Sequence, residues 1–150
     1  ARATIVRWVT EWYETHIVFR YAGEDAPGEM PRYELGELPE GFVENLESQF
    51  VGTGMTAHFY ENEKGDVILF EYIYMQQGSL SGVNTENAYV ISVIVNDCEG
   101  LLVIPKEEDS NSMLMWLDPE HDLQFTLDAP LGQEDILHMA ESVHLVETMK

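Results

Sequence analysis

Two stretches of this chain bring together side chains that could do chemistry. DPEHD, from Asp118 to Asp122, sets carboxylates beside a histidine, a set that acid–base catalysis or a bound cation could use. Nearer the C-terminus, Glu134, His138 and Glu141 stand at i, i+4, i+7, which puts all three on one face of a helix. Both have plainer explanations. DPEHD lies between the strand-like SMLMWL and LQFTL, and a hairpin tip accounts for its Pro, its Asp and its polarity. A catalytic pair needs a concave, partly dry setting, which a hairpin tip seldom supplies. A zinc-binding helix pairs two histidines at i, i+4, whereas His144 falls six residues after His138 and off its face. A solvated helix face is therefore expected, with no metal.

Cys98 stands between Asp97 and Glu99, anions that disfavour the thiolate a nucleophile needs. ENEKGD lacks the alternating oxygen ligands of a calcium loop, and no EF-hand spacing occurs elsewhere. Neither a Gly-rich phosphate loop nor a G-x-S-x-G elbow is present. No catalytic, metal or cofactor-binding residue is assigned, and a non-enzyme that uses no cofactor is expected.

Composition narrows the partners. Seven Lys and Arg face 28 Asp and Glu, a formal charge of −21. The cations are scattered, so nucleic acid and anionic membrane surfaces are poor partners. One cysteine allows no internal disulfide, and this leaves the compartment open. The 150 residues fit one domain, 1–150, and 45% hydrophobic content can build its core. No apolar run is long enough to cross a membrane as a helix. The chain opens on Ala1 without a signal peptide, and we expect a segment upstream of it.

The elements follow from periodicity. RATIVRWVTEWYETH carries Ile5, Trp8, Val9, Trp12 and Tyr13 at helical spacing, which predicts a helix over 2–16. The sheet region spans 17–128. It opens with a strand in IVFRYAG, then a connection with a turn at Pro39 and Gly41, and a further strand from Phe42 to Val51. Three hairpins follow, closed by ENEKG, NDCE and DPEHD, with the polar loop QQGSLSGVNTEN between the first and second. A C-terminal helix is predicted over 132–146, with Gly132 as N-cap, acids in its first turn, and Ile136, Met139, Ala140, Val143 and Val146 as its apolar stripe. In VILFEYIYM and YVISVIV both strand faces are apolar, so each face must be covered or must meet a partner. The fold class expected is α+β: a curved, mostly antiparallel sheet of about six to eight strands, a hairpin meander, packed with an N-terminal and a C-terminal helix.

Several of these segments resemble the domain-of-unknown-function family 4367. They are Tyr33, LPEGF, VNDCEGLLVI and MLMWLDPEHDLQFTLDAPLGQEDILHMAESV. The likeness spans roughly 33–146 and is densest from Val95 onward. Its marks are Leu114 and Trp116, Phe125, Gly132 with Glu134 and Asp135, and Ala140-Glu141-Ser142. Gly132 stands where Ser or Thr is commoner, and Asp97-Cys98 where the turn often carries Gly. Longer members resemble membrane-anchored bacterial regulators of the anti-sigma-factor type, with this domain outside the membrane.

The resemblance implies a non-catalytic extracytoplasmic sensor or interaction domain, held at the cell membrane by a span upstream of residue 1. Its partner would be a protein or a small apolar ligand. The alternative is a carrier that holds a lipid or a peptide on a curved sheet.

Overall fold

The computed structural model describes residues 7–12, 16–22, 31–52, 54–74, 80–84, 86–107 and 110–146. The described strands are β1 (Arg7–Trp12), β2 (His16–Ala22), β3 (Arg32–Glu34), β4 (Val43–Glu44), β5 (Phe50–Val51), β6 (Met55–Glu61) and β7 (Val67–Tyr74). They continue with β8 (Leu80–Asn84), β9 (Ala88–Val95), β10 (Cys98–Pro105), β11 (Ser112–Asp118), β12 (Leu123–Ala129) and β13 (His144–Val146). Among the described residues, a single 3-10 turn covers Leu46–Ser48, and one helix, α1, covers Gln133–Glu141.

An eight-stranded sheet dominates, in the order β4-β6-β7-β12-β11-β10-β9, with β5 also paired to β6. Every pairing in it is antiparallel. All three expected hairpins form, and the first is joined to the third where β7 pairs with β12. Turn chemistry explains their closure. Asn96 and Asp97 have φ of 48° and 68°, the left-handed pair that a two-residue hairpin needs and that Asn and Asp tolerate. Gly65 takes φ 86° in the first connection, where Asn62 Oδ1 accepts from the amides of Lys64 and Asp66.

One face of this sheet carries the core. Ile68, Phe70, Tyr72, Leu102, Leu114, Leu123, Leu127 and Val95 are essentially inaccessible, and Trp116 and Phe125 nearly so. Trp116 lies flat on Phe125, with ring centroids 5.1 Å apart and planes 12° apart. Tyr33 enters edge-on against Phe125 and Tyr72, an arrangement that ring quadrupoles favour. From above, α1 adds Ile136, Met139 and Ala140, all buried. The opposite face has a smaller apolar group around Val103 and Met115, with the buried polar residues Gln124 and Thr126 nearby in register.

The expected helix over 2–16 is not found. Residues 7–12 form β1 instead, and residues 1–6 and 13–15 lie outside the described set. β1 pairs with β2 from Arg7↔Ala22 to Trp12↔Ile17, and β2 pairs with β8. The reason is physical. Trp8, Val9, Thr10 and Trp12 are β-branched or aromatic, a short run satisfies either period, and a partner strand decides the outcome. The same pairing corrects the loop over 76–87, since Leu80–Asn84 is a strand.

The C-terminal helix begins as expected, with Gly132 at its N-cap, but ends at Glu141 rather than at residue 146. His144–Val146 leaves the helix and pairs with Arg32–Glu34. Val146 therefore belongs to a two-stranded ribbon and not to a helical stripe.

Candidate functional site

The residues singled out in the sequence are widely distributed. Glu134, His138 and Glu141 all lie on the exposed face of α1. His138 turns to the 35–42 connection, where its Nδ1 meets Glu37 Oε2 at 3.0 Å. This pair is exposed on both sides and contributes little stability. It flanks a half-open groove of about 280 Å³ lined by Glu37, Leu38, Pro39, Leu131, Asp135, His138 and Met139.

DPEHD forms the β11–β12 turn. Asp118 Oδ1 accepts from the amides of Glu120 and His121, and Oδ2 lies 2.8 Å from His121 Nδ1. Asp118, Glu120 and His121 are the only group of three or more His, Cys, Asp or Glu among the described residues whose ligand atoms all come within 4.8 Å of one another. The turn itself accounts for that convergence, because both Asp118 oxygens already hold it closed.

The acids at this end of the sheet act on their neighbours. Burial, with help from Asp118, Asp97 and Glu120, raises the Cys98 thiol. Burial, followed by Asp118, pushes the Tyr33 phenol up to about 12. Burial and Asp122 raise Tyr74. Cys98 itself sits at the start of β10 and packs against the core, a closer engagement than a turn position suggests.

The sequence gives no hint of what lies along the β6 edge. The single strand expected from Phe42 to Val51 is broken in two: the chain pairs with β6 at Val43–Glu44, departs for one 3-10 turn, and returns at Phe50–Val51. Asn45 starts that turn: its Oδ1 accepts from the amide of Glu47, and its own amide donates to Phe59 O at 2.8 Å. The excursion leaves Leu46 71% exposed, with Val43 and Val51 each 70% and Phe50 53% exposed. In register Val43 and Phe50 stand opposite Glu61 and Ala57, on the face away from His58, and Val51 stands opposite Thr56, so the exposed apolar groups flank the outermost strand of the sheet.

His58 holds the segment in place. It is 5% exposed and stacks on Phe70 with ring planes 16° apart. Its Nδ1 lies 2.9 Å from Glu44 Oε2 and 3.4 Å from Gln49 Nε2. A carboxylate only accepts, so Nδ1 carries the proton in the Glu44 contact. Nε2 is buried without a hydrogen-bond partner. Residues on both sides of the 3-10 turn thus converge on one imidazole. Single-chain reasoning missed this site because its exposure is a tertiary fact, and no local pattern in FVENLESQFV reveals it.

A mainly antiparallel β domain with one helix over its core face is the class defined by this architecture. Residues 32–143 match the family model described as "Domain of unknown function (DUF4367)", and the chain belongs to that family. No curated protein and no solved structure matches it.

Proposed function

We propose that this domain is a non-catalytic sensor or interaction module on the outer side of the membrane, part of a membrane-anchored regulator of the anti-sigma type. The observation that carries the reading is the set of large apolar side chains left in water along Val43–Val51 on a chain of net charge −21. Exposed apolar groups in one short stretch of a strongly acidic chain mark a contact surface. The filled core face favours protein binding over the carrier alternative, since Leu102, Leu114, Leu123 and Leu127 leave no accessible surface where an apolar ligand would sit. The resemblance to longer members, in which such a domain follows a single membrane span, supports the proposed setting.

Protease added to intact cells that carry the full-length protein tests the location. Cleavage within this domain from outside is the expected result. Cleavage only after lysis would remove the extracytoplasmic reading.

A further inference from the structure

We propose that the edge formed by Val43–Val51 docks a partner polypeptide whose apolar side chains are flanked by lysine or arginine. This rests on the interaction reading and gives it a surface and a partner chemistry.

Three observations carry it. The first is apolar exposure concentrated in a short stretch: Val43, Leu46, Phe50 and Val51 lie within one segment and are all more than half exposed, whereas Tyr89, Ile94 and Leu145 are exposed one by one on other strands. By contrast, the exposed Tyr89 on β9 already has Lys106 Nζ 5.1 Å from its ring centroid. The second is edge geometry. Strands of two residues either side of a 3-10 turn offer too short a backbone ladder for strand addition, so a partner must be read through side chains. The His58 Nδ1–H bond to Glu44 Oε2, and the Asn45 Nδ2 bond to Glu61 Oε2, fix the segment before any partner arrives.

The third is charge. From Tyr33 to Glu63 the chain has no Lys or Arg, while Glu34, Glu37, Glu40, Glu44, Glu47, Glu61 and Glu63 are acidic. Glu40, Glu47 and Glu61 are exposed. A second copy of this chain would bring the same acids against themselves, whereas a cationic, apolar segment complements both features.

The test uses the 150-residue chain and synthetic peptides as probes, followed by titration calorimetry. A peptide of alternating Leu and Lys should bind at least about tenfold more tightly than a Ser–Lys peptide of equal length, and added salt should weaken it. L46S/V51S should lose about tenfold in affinity for the Leu–Lys peptide with an unchanged unfolding midpoint, and I94S should lose nothing. E40Q/E47Q, which leaves the apolar residues in place, should flatten the salt dependence.

Equal binding by L46S/V51S and the parent would reduce the effect to attraction between a polycation and an acidic chain, and would overturn the proposal. So would an equal loss in I94S, or equal binding of a Leu–Glu peptide. A dimer of the parent that L46S/V51S abolishes in sedimentation would show the occupant to be a second copy. External cleavage in intact cells combined with an indifferent L46S/V51S sinks this surface alone. A selective surface on a domain cleaved only after lysis sinks the location alone.

Discussion

Gly100 stands directly opposite Trp116 across the β10–β11 ladder, so close that a Cβ on Gly100 would lie 2.6 Å from Met115 O and 3.0 Å from Trp116 Cβ. The nearest obstacle is backbone, which cannot swing aside as a flexible side chain can. Gly100→Ala should therefore force the two strands apart and cost about 1–3 kcal/mol. Its urea midpoint should fall, and a midpoint equal to the parent's would mean that the ladder yields freely.

Trp116 itself is 3% exposed and stacked on Phe125. Trp116→Ala removes the centre of the aromatic layer and should cost about 3–5 kcal/mol, measured by the same denaturation. A loss under about 1 kcal/mol would contradict the packing described.

Glu71 lies on the face opposite the core, between Ala57 and Thr126 in register, and burial raises its carboxyl above the ordinary 4.5. Charging it costs more in the folded chain than in the unfolded one. The stability tied to its protonated form is full below 4.5 and is lost as pH rises through the folded value. Glu71→Gln should raise the melting temperature at about pH 7 and leave it unchanged at about pH 3. An equal gain at both pH values would assign the effect to packing instead.

The buried phenols set an alkaline limit. Tyr33 is pushed up from 10.0 to about 12, chiefly by burial, and burial also raises Tyr60 and Tyr74. The contribution of Tyr33 is intact below 10.0, where the unfolded phenol would ionise, and is lost as pH climbs toward 12. Tyrosinate absorbance and loss of ellipticity should therefore rise together in that window. Ionisation of these phenols completed near 10.0 with the fold intact would contradict their burial.

Cys98 should react slowly with a thiol reagent in the native chain and rapidly in denaturant, because burial and Asp118, Asp97 and Glu120 all disfavour its thiolate. Equal rates in the two states would show the thiol to be open to solvent. Cys98→Ser should keep the fold.

Local chemistry explains which parts of this structure could be read in advance. Asn96-Asp97, the Gly65 connection and the Asp118–Asp122 tip each specify a hairpin within a few residues, so those hairpins were legible. The start of α1 was also legible, from Gly132 and the acids after it. Its end was not. Ser142 Oγ accepts from the amides of Gly36 and Glu37, the latter 105 residues away in sequence, and no inspection of AESVHLV discloses that contact. Trp8 to Trp12 fits both periods, and only the register with Ile17–Tyr21 resolves it. The candidate edge follows the same rule. His58 reads as one more strand residue in TAHFY until Glu44 and Gln49 are seen against it.

The ribbon of β3 and β13 has a mechanical meaning. Arg32, at the start of the family domain, is paired with Val146, so the strand that enters the domain and the one that leaves it emerge at the same point. Tension between the two ends would open three residue pairs one after another, like a zipper, before it reached the large sheet. The outer Arg32–Val146 pair would take the load first, and the eight-stranded sheet would meet it next through Tyr33, whose ring is seated against Tyr72 and Phe125.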